Sequence, residues 1–148
     1  MATTTSTTPL FLVQFLLLLL LYLIFSTNWP MSTSANMVTK YHIHVINDLP
    51  ESSTKLSVHC KSGDDDKGMQ ELSWNEEYVW GTRINFFRTT LYFCYIQWLG
   101  VKERYFVAFK AKRDEVRCEK MKNCLWRVRR NGVYFSNDNS TWFMEYPW

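Results

Sequence analysis

The chain has 148 residues, 17% of them aromatic, and a formal net charge of +3 at pH 7. This length leaves room for one compact domain and not for two. The charged side chains are unevenly spread, since residues 101–148 hold eleven basic and six acidic groups and residues 1–35 hold none. A basic patch of this kind can attract an acidic protein surface, a wall polysaccharide, a lipid headgroup or a nucleic acid, and it does not distinguish them.

The N-terminal segment, residues 1–35, is predicted to be a secretory signal peptide. Its apolar block, LLLLLLYLIF at residues 16–25, is short for a membrane span, and the small residues 33–35 suit cleavage. The mature chain, residues 36–148, would then be extracellular, without stable membrane insertion, and nucleic acid would be the least expected partner. An uncleaved signal anchor is the alternative, because residues 10–25 could almost span a bilayer.

Most of the mature chain is predicted to form strands. Residues 41–45 and 56–60 alternate apolar and polar side chains, which indicates two half-buried strands. Residues 78–86 predict a third strand, with Phe86 on its apolar face. Residues 91–98 are apolar on both faces, which predicts a central strand covered on both sides.

The last third of the chain continues this pattern. A strand is expected at residues 105–110, and residues 111–123 have room for one helical turn. Residues 124–136 predict a hairpin, because Asn131-Gly132 is a strong signal for a type I′ turn. The aromatic tail, residues 142–148, is either a final strand or an exposed contact surface.

The cysteines and the strand count together indicate a fold class. An even number of cysteines in a small secreted domain predicts two disulfides, although the sequence does not choose among the three possible pairings. A zinc site is the alternative, but no Cys-x-x-Cys pair is present. Seven or eight short strands favour an all-β fold, a small antiparallel β-sandwich, with a closed barrel as the alternative. The four cysteines are Cys60, Cys94, Cys118 and Cys124.

An acidic triplet and a glycosylation triplet mark two exposed loops. The acidic triplet is interpreted as a solvated turn, because adjacent carboxylates share one environment and cannot take the separate protonation states of an acid–base pair. The spacing excludes a helix-loop-helix calcium site, and a calcium-binding loop of less regular spacing is the alternative. Asn139 begins an Asn-Ser-Thr acceptor for N-glycosylation, which fits a secreted protein. The acidic residues are Asp64, Asp65 and Asp66.

Two histidines are the remaining candidates for chemistry. His42 and His44 lie two apart and project from the same strand face, but the sequence places no third ligand or nucleophile beside them. We interpret them as surface histidines. No cofactor and no metal is expected, and no phosphate-binding glycine loop is present.

The order of these motifs resembles the plant self-incompatibility protein S1 family, also called S-protein homologues. The resemblance implies a small secreted β-sandwich with two disulfides; the founding members, from field poppies, are pistil ligands that a pollen membrane protein recognises during rejection of self pollen. This chain departs from the family pattern at Lys67, residues 74–75 and Arg88. The matching motifs are VINDL at 45–49, VHCKS at 58–62, YVW at 78–80, NFF at 85–87, TTLYFC at 89–94, Cys118, Cys124, Trp126 and GVY at 132–134.

The sequence therefore predicts a secreted, non-enzymatic, monomeric plant signalling ligand that a cell-surface receptor recognises through its loops. Opposite charges on exposed turns can steer and orient a partner, so the charged loops are the candidates for receptor contact. The alternative is a small secreted defence protein, either a membrane-active toxin or a histidine-dependent hydrolase. The receptor-contact candidates are Asp64, Asp65, Asp66, Arg127, Arg129 and Arg130.

Overall fold

The computed structural model describes residues 10–27, 39–50, 55–100 and 102–148. The chain divides into two units, Met1–Met37 and Val38–Trp148, which are described separately. In the first unit, helix α1 spans Leu10–Thr27. Within the described ranges, no helix combines the length and the apolarity needed to cross a membrane. The expected cleavage position near Asn36 lies outside the described residues.

The second unit is a β-sandwich, which confirms the predicted fold class over the closed barrel. One sheet has the strand order β4-β1-β7-β8-β9 and the other has the order β3-β2-β5-β6. The described residues form nine strands and, between β6 and β7, the two-turn helix α2 at Ala111–Arg117. The strands are β1 Lys40–Asn47, β2 Leu56–Lys61, β3 Asp66–Leu72, β4 Glu77–Arg83, β5 Leu91–Trp98, β6 Lys102–Lys110, β7 Asn123–Arg129, β8 Gly132–Ser136 and β9 Phe143–Pro147.

The sheets are not purely antiparallel. Strand β1 pairs antiparallel with β4 on one side but parallel with β7 on the other. A parallel pair needs a long crossover connection. The chain from β2 to α2, most of which lies in the other sheet, provides that crossover and returns to the end of the sandwich at which β1 begins. The antiparallel prediction is therefore wrong at this one pair.

The core lies between the two sheets and is rich in aromatic side chains. Trp126 is fully buried at its centre, and its indole N–H donates to the carbonyl oxygen of Ala108 at 2.8 Å. Its ring packs against Phe106 and Phe135, with centroid separations of 5.1 Å and 5.0 Å. Among the described residues, eight aromatic side chains are buried, beside seven leucines and isoleucines. The alternating strands predicted at 41–45 and 56–60 are confirmed.

Strand β5 is buried on one face only, so the prediction of a strand covered on both sides is wrong. Tyr92, Cys94 and Ile96 face the core, whereas Leu91 is 41% exposed and Tyr95 is half-buried. The opposite face of the strand is exposed at Leu91 and only partly buried at Phe93, Tyr95 and Gln97. On this face, the Tyr95 ring packs at a tilt of 43° against Tyr105 of the neighbouring strand β6, with ring centroids 4.8 Å apart.

Three further predictions about elements have definite outcomes. Strand β4 ends at Arg83, so Phe86 lies in a turn and not on the apolar face of a strand. The hairpin predicted at residues 124–136 is present as β7 and β8. The aromatic tail forms the final strand β9, which pairs with β8.

Both disulfides are present, which excludes the zinc alternative. Cys60 is bonded to Cys94, its directly opposite partner on β5, and the bond closes a separation of 34 residues. Cys118 is bonded to Cys124 across a separation of six residues, which ties the end of α2 to the start of β7.

Candidate recognition surface

The topology gathers three loops at one end of the sandwich. The turn between β2 and β3 lies beside the start of β5, because Lys61 pairs with Phe93. The loop between β4 and β5 and the end of β6 reach the same place, because Leu91 pairs with Lys110. We call residues 61–68, 83–91 and 110–112 together the charged end.

The basic hairpin between β7 and β8 lies at the opposite end of its sheet. Strand β7 runs parallel to β1, and its last residues lie beside the end of β1, where Asn47 pairs with Val128. The structure therefore separates the acidic triplet from Arg127, Arg129 and Arg130. A single partner that contacts both loops would have to span the length of the sandwich.

An open groove of about 560 Å³ separates the acidic turn from the loop between β4 and β5. Carboxylates border one side and a guanidinium the other, so the groove can take a polar or charged segment of a partner. Residues on its walls include Asp64, Asp65, Arg83, Asn85, Thr89 and Tyr92.

Asp65 anchors the acidic turn to the sheet. Its Oδ2 accepts a hydrogen bond from the Tyr92 hydroxyl at 2.7 Å. The same oxygen forms an ion pair with Lys67, whose Nζ lies 2.5 Å away. The hydrogen bond from Lys67, and then that from Tyr92, lower the pKa of Asp65. Burial, and then the Asp65 carboxylate, raise the pKa of Tyr92, so its hydroxyl remains a donor.

Asp66 closes the other side of the turn, and Asp64 is left exposed. The Asp66 Oδ1 accepts the backbone N–H of Gly68 at 2.8 Å and lies 2.6 Å from His59 Nε2. The Gly68 N–H, and then His59, lower the pKa of Asp66. In the described part of the chain, Asp64 has no ion-pair partner. Two carboxylates thus shape the turn, and the third is available to a partner.

These lowered pKa values predict a loss of stability in acid. Asp65 and Asp66 bind protons less readily in the folded chain than in the unfolded chain, so they stabilise the fold above their ordinary pKa of 3.8. This stabilisation is lost as the pH falls below about 4 and through the lowered values. Urea unfolding at a series of pH values should show a shallower acid dependence in Asp65→Asn/Asp66→Asn than in the control Asp64→Asn. Equal acid dependence in the two variants would contradict this assignment.

The loop between β4 and β5 presents two adjacent phenylalanines that were not predicted from the sequence to be surface residues. Phe86 is 93% exposed and Phe87 is 77% exposed. The signal for this turn was Asn85, whose Oδ1 accepts the Thr89 N–H at 2.8 Å and whose carbonyl accepts the Arg88 N–H at 2.9 Å. An asparagine at the start of such a loop favours a turn over a continued strand.

Two arginines of the basic hairpin are already engaged within the protein. Asp48 Oδ2 lies 2.7 Å from Arg129 Nε and 3.7 Å from Arg127 Nη1. Both guanidinium groups also lie over the Trp142 ring, 4.5 Å away for Arg127 and 5.6 Å for Arg129. Arg130 is exposed and has no ion pair within the described residues. Of the three, Arg130 is the most available to a partner.

His44, one of the two candidate histidines, is engaged by neighbouring side chains. His44 Nδ1 lies 2.7 Å from Glu77 Oε1, and its Nε2 lies 3.3 Å from Asn123 Oδ1. Within the described ranges, the one group of three potential metal ligands is Asp114 with Cys118 and Cys124. Those cysteines are joined in a disulfide, so neither offers a thiolate.

The glycosylation acceptor lies on an accessible turn. Asn139 is exposed, with a positive φ of 59°. Asp138 shapes this turn, because its Oδ1 accepts the N–H groups of Thr141 at 2.8 Å and Ser140 at 2.9 Å. These bonds, that from Thr141 first, hold the pKa of Asp138 well below its ordinary value. A glycan on Asn139 remains a prediction.

Comparison with known proteins relates this chain to a plant family. The family model for plant self-incompatibility protein S1 matches residues 42–148. S-protein homolog 2 of Arabidopsis thaliana is 37% identical over 126 residues, which cover 82% of this chain and 76% of the relative. Self-incompatibility protein S1 of Papaver rhoeas is 27% identical over 123 residues, which cover 82% of this chain and 86% of the relative.

Two further comparisons concern length and fold. S-protein homolog 24 of Arabidopsis thaliana is 37% identical over 94 residues, which cover 63% of this chain and only 61% of the relative. A solved structure of self-incompatibility protein homologues, described as small, highly stable, secreted plant proteins, aligns with a TM-score of 0.60 at 20% identity. The alignment covers 77% of this chain and 98% of that chain, and at this identity it establishes the fold alone.

Proposed function

This chain belongs to the plant self-incompatibility protein S1 family, and we propose that it is a secreted, non-enzymatic ligand for a receptor protein on the plant cell surface. In this proposal, residues 1–35 are the signal peptide and residues 36–148 are the ligand domain. The receptor contacts the loops at the ends of the sandwich, with the charged end as the principal site. The family is one of small secreted proteins, and it is not a known enzyme family.

The observation that carries this proposal is the fixed shape of the acidic turn beside an open groove. Asp65 and Asp66 hold the turn through bonds to Tyr92, Lys67 and His59. A loop that is ordered before binding loses less conformational entropy when its partner arrives. Asp64 is then presented in a defined position at the edge of the groove.

The non-enzymatic part of the proposal is supported by the contacts that the polar side chains already make within the protein. Asp65 and Asp66 shape a turn, and His44 contacts Glu77 and Asn123. No cysteine of the chain is free to act as a nucleophile. Exposed charge near a groove suits recognition, in which complementary potentials accelerate association and orient the partner.

Charge reversal of the two available loop residues tests the proposal. The variant Asp64→Lys/Arg130→Glu should bind intact plant cells about tenfold more weakly than the parent, with a weaker dependence on salt. The matched control is Glu71→Lys/Lys55→Glu, which reverses two exposed charges around a separate surface depression. Binding of labelled protein at several ionic strengths gives both quantities. If the test variant and the control bind equally, with the same salt dependence, recognition does not use these loops.

A further inference from the structure

A pair of adjacent phenylalanines protrudes from the charged end. Phe86 and Phe87 form the tip of the loop between β4 and β5, and their rings lie edge to face with centroids 5.4 Å apart. They are 93% and 77% exposed, so each ring leaves most of its apolar surface in water. Adjacent exposed aromatic residues of this kind mark a contact surface more often than isolated ones do.

The loop holds this tip in one conformation. Thr90 Oγ1 accepts the Asn85 N–H at 2.9 Å, and the Asn85 side chain bonds both the N–H and the hydroxyl of Thr89 at 2.8 Å. Arg88 adopts a positive φ of 55°, and its guanidinium is paired with Glu115 of α2. The exposure of the two rings is therefore built into the fold, because hydrogen bonds and an ion pair fix both sides of the turn.

The surroundings of the tip are cationic. Arg83 shares one groove with Asn85 and Thr89, and Lys110 and Lys112 share a second depression with Arg88. None of these three cations has an ion-pair partner among the residues that the structure describes. Two of the carboxylates nearby are neutralised, since Asp65 is paired with Lys67 and Glu115 with Arg88, while Asp64 on the wall of the first groove is unpaired among the described residues.

We propose that Phe86 and Phe87 dock reversibly into the interface of an anionic phospholipid membrane, while Arg83, Lys110 and Lys112 contact the headgroups. Charge complementarity identifies an anionic partner. The protruding shape favours a lipid surface, because a soft interface accepts a projecting apolar tip without a preformed pocket. Apolar burial and electrostatic attraction to anionic lipids add in such contacts. This contact goes beyond receptor recognition and does not depend on it.

Vesicle flotation with the full domain tests the lipid contact. The oxidised protein should float with phosphatidylcholine vesicles that contain phosphatidylserine and much less with vesicles of phosphatidylcholine alone. Phe86→Ser/Phe87→Ser should lower the partition coefficient at least about tenfold. The matched control, Phe143→Ser, removes a phenylalanine that is 62% exposed on strand β9, and it should bind as the parent does.

A second pair of variants tests the electrostatic part. Lys110→Gln/Lys112→Gln should weaken flotation with the anionic vesicles, whereas Lys55→Gln/Arg130→Gln, which removes two exposed charges from other loops, should have a smaller effect. Near-UV circular dichroism confirms that each variant is folded. Equal partition of the parent and the Phe86/Phe87 variant overturns the proposal. Loss of cell binding in that variant, without any vesicle binding by the parent, also overturns it and assigns the tip to a protein contact.

Discussion

Replacement of Asp114 by asparagine is expected to lower the free energy of unfolding by about 3 kcal/mol. The Asp114 carboxylate is fully buried and accepts bonds from Arg113 Nε at 2.9 Å, Arg117 Nε at 3.0 Å and the Lys110 N–H at 2.7 Å. The variant would leave two guanidinium groups close together without the anion between them. Removing one partner of a buried ion pair costs more than the pair itself contributes, because the remaining charge is uncompensated.

A matched control separates this effect from the loss of any carboxylate near Arg117. Glu145 also pairs with Arg117, but its side chain is 25% exposed, so water can replace it. Glu145→Gln should therefore cost less than about 1 kcal/mol. Urea unfolding at neutral pH measures both variants. Similar losses in the two would show that burial of Asp114 is not what makes its ion pairs important.

The second large effect is expected on removal of the disulfide between the two inner strands of one sheet. A disulfide restricts the unfolded chain more when it closes a longer loop. For the 34-residue separation of Cys60 and Cys94 the chain-entropy model gives about 4 kcal/mol, and for the six-residue separation of Cys118 and Cys124 about 2 kcal/mol. All four cysteines are buried, so the cavities left by alanine are similar.

The comparison of Cys60→Ala/Cys94→Ala with Cys118→Ala/Cys124→Ala isolates this difference. Each variant keeps one disulfide, and equilibrium unfolding without reductant gives its stability. The first variant should be the less stable by about 1.5 kcal/mol. The reverse order would mean that the short disulfide stabilises the fold by more than loop closure alone provides. The additional stabilisation would come from holding the junction of α2 and β7 together.

The local features of the fold could be predicted from the sequence. The alternation at residues 41–45 and 56–60 was sufficient to identify two strands and their buried faces, because a half-buried strand requires that period. The Asn131-Gly132 pair was sufficient for the hairpin, since few residues accept the backbone angles of its turn. The even cysteine count predicted two bridges but not their pairing, which depends on which strands become neighbours.

The features that were missed depend on distant parts of the chain. Strand β3 has few buried side chains, and it forms because β2 offers an edge for pairing. The parallel pairing of β1 with β7 follows from the path of the whole chain. Arg129 is a receptor-contact candidate from the sequence, and its contact with Asp48, distant in sequence and 2.7 Å from its Nε, could not be predicted. The exposure of Phe86 likewise follows from the end of β4 at Arg83.

The most direct test of the receptor proposal is binding of labelled, disulfide-bonded protein to intact plant protoplasts before and after protease treatment of the cell surface. The account predicts saturable binding that unlabelled protein displaces and that protease treatment removes, because the recognised molecule is a protein. Any lipid contact by the Phe86–Phe87 tip would survive that treatment and would not saturate. Saturable binding that is unchanged after the treatment, or the absence of saturable binding to every plant cell type tested, would contradict the account.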